Sequence, residues 1–429
     1  MEQRRKNLTQ LFIPICLETL LYMLSGMVDT LMLSSVNDQA VGAVGTANTY
    51  IGIFIIMFSV ISSGMVAVMT QNIGAGRPGV AYQARQLGLA FNAVLGIILS
   101  LILAFGALMQ PARTYLQIVG GFCILNALIP ICSSYLRAFG FSKEPLYASI
   151  IGNVINFCLN AFFLFVLHKG VAGVATATVV SRIINLVIVV LLGAVLVKAK
   201  KHPERESNRE VMGQIIRIGL PSACETAIYN VSMTLVIRFL NQMDAQGLNV
   251  TARSYTMQIT NFSYCVGAAL AQANAIMTGW RIGAKEYDAC DRGTRKAAII
   301  GVIVAVILET MFALCSGWIM QLFSKDPQMV SLVGKLLAID IVLEMGRVTN
   351  LVYGQALKTS GDAVFPVVMG ACFMILCSVG GTYLFGIRLG LLAVGAYIGM
   401  AGDECVRAIG MYLRWKSGKW KEKGLVKSR

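Results

Sequence analysis

Twelve apolar stretches follow one another along the chain, at residues 9–35, 41–69, 84–110, 114–137, 145–167, 171–197, 212–240, 249–278, 293–320, 329–357, 363–386 and 390–413. Each reaches or approaches the roughly 20 residues that a helix needs to cross a bilayer. Lipid offers no partner for a free backbone N–H or C=O, so such segments are confined to helices that satisfy these groups internally. The composition agrees: 56% of residues are hydrophobic and 13% charged, and the mean hydropathy is +0.70. These numbers describe an all-α integral membrane protein. The 42 glycines suit close helix packing in lipid.

The net charge of +15 sits in short tracts between the apolar runs rather than on one binding face. MEQRRKN, GAGRPGVAYQAR, KAKKHPERESNRE, WRIGAKEYDACDRGTRK and RWKSGKWKEKGLVKSR alternate with loops that hold only Arg113, Lys169, Lys325 and Arg388. This asymmetry predicts cytoplasmic N- and C-termini and excludes a nucleic-acid partner. The eleven cysteines are scattered and form no CxxC pair, which predicts buried thiols without disulfides or a metal cluster. The first stretch is longer than a signal core and contains two acids, so it is expected to remain as a helix.

The sequence also repeats itself. IPICLETLLYMLS (13–25) echoes as LPSACETAIYNVS (220–232), aligning Pro14, Glu18, Tyr22 and Ser25 with Pro221, Glu225, Tyr229 and Ser232. IGAG (73–76) echoes as IGAK (282–285), GALMQ (106–110) as GWIMQ (317–321), and LRAFG (136–140) as LKTSG (357–361). Six helices per half make this a parallel repeat. The expected organisation is an N-lobe over residues 1–197, a charged linker over 198–211, a C-lobe over 212–413 and a basic tail over 414–429. About ten residues equivalent to 322–331 are missing after Gln110, which predicts a tight turn around Pro111.

An acid inside an apolar stretch costs about 2.5–3.5 kcal/mol even on lenient insertion scales, so it reads as functional by default. Glu18, Tyr22, Ser25 and Asp29 follow i, i+4, i+7, i+11 spacing and share one helix stripe. The blander reading is a pair of carboxylates satisfied by neighbouring helices. Asn153, Asn156 and Asn160 share a face of the fifth predicted span, where three amides offer neutral oxygen ligands suited to a hard cation beside Asp29, or helix-to-helix hydrogen bonds. In the second half the stripe recurs as Glu225, Tyr229 and Ser232, but the counterpart of Asp29 is Val236. The tenth predicted span holds Asp340, Glu344, Arg347 and Asn350. Glu344 and Arg347 are three apart and can pair directly, either as a fixed structural pair or as a switch in which Glu225 competes for Arg347. Arg137 and Lys358, equivalent in the repeat, read as interface anchors.

The P-x-x-x-E-T…V-D-T pattern at 14–30, the QNIGAG turn at 71–76 and LRAFG followed by Pro145 together resemble the MATE family of multidrug and toxic-compound extruders, within the MOP flippase superfamily. So do the Asn153, Asn156 and Asn160 helix, the GVAGVATAT segment (170–178) and the run from Glu344 through Arg347, Asn350, Gly361 and Asp362 to Pro366. The resemblance implies two six-helix lobes in a V around a central cavity, and antiport of organic, often cationic, compounds against Na⁺ or H⁺. It favours Asp29 as the principal ligand of the coupling ion, with Na⁺ expected at Asp29, Asn156 and Asn160, and it matches Thr178 to a family threonine. Some relatives have an aspartate where this chain has Asn160. Glu225 and the Glu344–Arg347 pair are the corresponding ion-coupling or switch candidates in the C-lobe.

The expected function is therefore secondary active multidrug efflux across the cell's inner (plasma) membrane by a multi-pass protein. Its partners would be small organic substrates and membrane lipid; a monomer without cofactor or obligatory protein partner is expected. A lipid-linked oligosaccharide flippase of the same superfamily is the alternative, and it would require a strongly cationic cavity for pyrophosphate. An integral-membrane enzyme is disfavoured because no metal cluster, paired DDxxD acids or nucleophile–base set is present, and no G-x-x-x-x-G-K-[ST] loop supports ATP use.

Overall fold

The structure is a computed structural model, and it describes residues 6–34, 38–105, 112–197, 204–244 and 246–426. Every regular element among these residues is helical. The first half contains α1 (Leu8–Ser34), α2 (Asp38–Gly74), α3 (Pro78–Ala104), α4 (Ala112–Tyr115), α5 (Ile124–Ala138), α6 (Lys143–Ala161) and α7 (Gly170–Leu196). A π-helical turn, Leu116–Gly120, extends α4 towards α5, and another, Phe162–Val166, extends α6. The second half contains α8 (Asn208–Met243), α9 (Leu248–Gly283), α10 (Tyr287–Leu314), α11 (Ser316–Met320), α12 (Pro327–Ser360), α13 (Val364–Phe373) and α14 (Leu392–Lys416). After α13 come π-helical Met374–Val379 and Thr382–Arg388.

Among the described residues, seven helices are long and apolar enough to cross a membrane: Leu8–Leu33, Ala47–Gly74, Pro78–Ala104, Lys143–Val166, Gly170–Leu196, Tyr287–Leu314 and Val364–Arg388. Arg113–Gly120 and Ile124–Ala138, bent by 41° at their junction, make an eighth if they act as one span. The long helices α8, α9, α12 and α14 fall outside this group. Their polarity has a structural reason in α12 and α14: Asp340, Glu344, Asp403, Glu404 and Arg407 are buried within the fold. Charges that pair inside a bundle lower a helix's hydropathy without exposing charge to lipid.

The chain forms two compact units, Met1–Ala223 and Cys224–Arg429, and the division falls inside α8. The N-terminal part of α8 belongs to the first unit because glycines bring it onto the backbone of α2. A Cβ on Gly219 would stand 1.6 Å from the Val60 carbonyl oxygen, and one on Gly64 would stand 1.9 Å from that of Ile215. The described end of the expected linker is pinned to the turn between α2 and α3. Arg77 pairs with Glu206 at 2.5 Å, and Gln83 Nε2 donates to the Glu206 carbonyl at 2.7 Å and to Asn208 Oδ1 at 2.6 Å. Linker residues 198–203 and the tight turn expected around Pro111 lie outside the described residues.

Within the first unit α1 packs on α6, α6 on α7, and α2 on α3 and α5. In the second, α12 packs against α9, α10 and α14. The basic segment expected as a tail folds back instead: after α14 a 3₁₀ turn, Lys419–Lys423, places Trp420 flat against Trp415 at 4.1 Å. The Trp420 indole N–H donates to the Trp415 carbonyl at 2.9 Å, so the ring is buried with its polar atom satisfied.

Candidate functional site

In the first unit α1 and α6 carry the site. Asn160 Nδ2 donates to Asp29 Oδ1 at 2.6 Å and also lies 3.2 Å from Asn156 Oδ1. Asn156 and Asn160 are buried, and the Asn160 Oδ1 oxygen has no hydrogen-bond partner. A carboxylate oxygen and the Asn156 amide oxygen thus converge on the Asn160 amide nitrogen across the α1–α6 seam. Arg182 on α7 is close enough to act electrostatically on Asp29.

The other expected members of this group are engaged elsewhere. Asn153 Nδ2 donates to the Leu21 carbonyl at 3.4 Å, and the Thr178 hydroxyl donates to the Val174 carbonyl of its own helix at 2.9 Å. Glu18 does not join Asp29: it forms an ion pair with Arg137 at 2.5 Å and accepts from Ser149 Oγ at 3.4 Å. The polar stripe is therefore divided. Tyr22, between the two acids, is 70% exposed.

The second unit repeats the Glu18–Arg137 pair. Glu225 meets Lys358 at 2.7 Å, and these are the two residues equivalent to Glu18 and Arg137 in the internal repeat. The expected competition of Glu225 for Arg347 is not what this geometry shows. Arg347 pairs with Glu344, and its Nε lies 3.5 Å from Glu404 Oε1 on α14. Gly346 makes that approach possible, since a Cβ there would stand 2.8 Å from the Cys405 backbone nitrogen. Arg407 completes the network, binding Asp403 at 2.8 Å and Glu404 at 2.9 Å. Asn350 Nδ2 donates to Glu404 at 3.0 Å, and Ser378 Oγ donates to Asp403 at 2.9 Å.

These groups border a cavity of about 410 Å³ within the second unit, lined by Glu225, Tyr229, Arg253, Asp340, Arg347, Lys358, Tyr397, Glu404 and Arg407 among others. Its size suits a small organic molecule. Sequence reasoning missed Arg182, Glu309, Asp403, Glu404 and Arg407. The signal was present, since each is a charged residue in a helix with apolar flanks, and the rule applied to Glu18 and Asp29 applies equally to them.

The MatE family model matches residues 14–162 and 221–384, more than half of the chain. The chain belongs to the MatE family. It is 33% identical to the uncharacterized transporter YisQ of Bacillus subtilis (strain 168), covering 96% of this chain and 94% of YisQ. It is 24% identical to a probable multidrug resistance protein NorM of Thermotoga maritima, covering 98% of this chain and 94% of that protein. Crystal structures of MATE in a straight and a bent conformation share its fold, with TM-scores of 0.88 and 0.87 at 19% and 18% identity. Each match covers 96% of this chain, and 95% and 94% of the respective structure. This is a multi-pass membrane transporter of the MATE fold.

Proposed function

We propose that this MatE protein exports small organic, often cationic, compounds by antiport against Na⁺ or H⁺, with Asp29 as the coupling site. The observation that carries the reading is the Asp29–Asn160–Asn156 group, in which a carboxylate meets two buried amides and one amide oxygen remains unpartnered. Such an oxygen set suits a small hard cation, and the carboxylate alone suits a proton. Multidrug export is supported by the relatives described as multidrug resistance proteins.

The chain in this reading crosses the inner membrane twelve times with both termini in the cytoplasm, and acts as a monomer. Entry of Na⁺ or H⁺ at Asp29 favours substrate release outside; departure of the ion to the cytoplasm restores a site ready for the next substrate. One charge moved down 100 mV supplies about 2.3 kcal/mol, enough for a roughly forty-fold substrate gradient. A flippase role is less favoured, because Arg347, Arg407 and Lys358 in the second-unit cavity are each paired with an acid, which leaves Arg253 as the lining cation without one among the described residues, short of a strongly cationic seat for pyrophosphate.

The test is ethidium flux in proteoliposomes under separately imposed Na⁺ and proton gradients, for the wild-type protein and Asp29→Asn. Flux driven by one gradient and lost in the variant is expected, and the effective gradient names the ion. Equal flux in the variant would move coupling away from Asp29, and absence of wild-type flux under both gradients would remove the antiport reading.

A further inference from the structure

The second unit contains an acid that the reading above does not use. Glu309, on α10, is fully buried, and neither of its carboxylate oxygens has a hydrogen-bond partner. The Ser263 hydroxyl of α9, also buried, is the polar side chain beside it; it closes no hydrogen bond in this geometry but is placed to donate to the carboxylate. Asp340 and Glu344 of α12 act on Glu309 as like charges, and Arg347 is the cation that faces it. Asp340 is 2% exposed, with its Oδ2 unpartnered. It is faced by Arg347 and Glu344 of its own helix and by Glu404 and Tyr397 of α14.

An ionised carboxylate without hydrogen bonds or a counter-charge is not sustained in a dry interior. Arg347 is already committed to Glu344 and Glu404. Glu309 therefore gains no full compensation from a neighbouring side chain, and a bound proton or cation would supply it. The donor set decides between them. A single carboxyl with one hydroxyl beside it offers too few oxygens to replace the hydration of a metal ion, whereas one proton neutralises it completely.

A route exists. Glu309 does not line the 410 Å³ cavity, but Asp340 does, together with Thr260, one turn before Ser263 on α9. Asp340 thus both lines the cavity and lies near enough to Glu309 to act on it electrostatically. The internal repeat separates this group from the Asp29 site. The first unit has no carboxylate at the turn corresponding to Glu309, residues 98–100, and it has Val119 and Cys123 where the second has Asp340 and Glu344. Conversely, the second unit has Val236 where the first has Asp29. Each unit carries its own acid on a different helix.

We propose that Glu309, reached from the cavity through Asp340, is a second, exchangeable proton site of the transport cycle, which rests on the antiport reading above. A proton entering the cavity binds the Asp340 carboxylate, passes to a Glu309 oxygen to form the neutral acid, and leaves by the reverse path. No redox step or co-reactant is involved.

The experiment is infrared difference spectroscopy of the full-length protein in lipid, following the C=O stretch of protonated carboxyls through a pH series. Glu309→Gln, which is nearly isosteric, and Ser263→Ala are measured beside the wild-type protein. A pH-dependent acid band lost in Glu309→Gln and shifted in Ser263→Ala is expected. Proton uptake per substrate exported should fall by up to half in Glu309→Gln. A band identical in the wild-type protein and Glu309→Gln would overturn the proposal. So would a Glu309 band that persists at every pH and never exchanges with deuterium, because that describes a fixed structural acid. Disappearance of the band on adding Na⁺ at constant pH would overturn the proton assignment. The infrared result is read without transport, so failure of the antiport reading leaves it intact. Loss of flux in Asp29→Asn with the Glu309 band retained would support two separate sites.

Discussion

Replacing Arg137 by glutamine leaves the Glu18 side chain, 14% exposed, without its guanidinium partner. Stranding one member of a buried ion pair costs about 3–5 kcal/mol. Glu18 would retain the long bond from Ser149 Oγ and some solvent contact, so the low end applies, about 3 kcal/mol. That is roughly a hundred-fold in the folding equilibrium. Glu18→Gln combined with Arg137→Gln removes both charges and should lose only about 1 kcal/mol, because neither partner is then left as a buried unpaired ion. The double variant should therefore be about 2 kcal/mol more stable than Arg137→Gln alone, and that gain from a second substitution is the mark of coupling. The second unit supplies an internal repeat of the experiment. Lys358 and Glu225 meet at 2.7 Å with exposures of 14% and 15%, so a Glu225/Lys358 cycle should return a coupling of similar size. The assay is reversible unfolding in detergent followed by circular dichroism, with all four proteins of each cycle compared. A coupling below about 0.5 kcal/mol in both cycles would refute the reasoning and reduce these pairs to solvent-screened contacts.

Asn160→Ala should lower gradient-driven flux by at least ten-fold, because it removes the donor to Asp29 Oδ1 and the unpartnered amide oxygen; wild-type flux would show that the amide does not belong to the ion site. Gly219→Ala should lose at least about 1–3 kcal/mol, since the new methyl meets the Val60 carbonyl, which belongs to backbone and cannot rotate away. Gly213→Ala, six residues earlier on α8 with open space around it, should instead be neutral or slightly stabilising, and equal melting temperatures for the two variants would contradict the proposed packing of α2 on α8.

The helical class, the membrane setting and the two-fold repeat were all legible in the sequence because each rests on a local or periodic property. Backbone satisfaction in lipid converts a long apolar run into a helix wherever it lies in the chain. Repeat equivalence is read by aligning the sequence with itself, which placed Glu18 opposite Glu225 and Arg137 opposite Lys358. The i, i+3 spacing of Glu344 and Arg347 also foretold a contact, because helix geometry alone brings those side chains together.

Partnership between distant helices was not legible in the same way. Spacing placed Glu18 and Asp29 on one stripe, but Arg137 and Asn160, each more than a hundred residues away, assigned them to separate groups. Arg347 had a local partner in Glu344, yet its second partner, Glu404, depended on the close approach of α12 and α14 at Gly346. Glu309 reads in sequence as one more acid in an apolar helix; its isolation beside Ser263, Asp340 and Glu344 exists only once α9, α10 and α12 are packed. Sequence by itself determined which segments are helices and which of their side chains are too polar for lipid. Tertiary structure alone decided which of those side chains neutralise one another and which do not, because Coulomb and hydrogen-bond energies depend on separations of a few ångströms that folding creates between residues far apart in the chain.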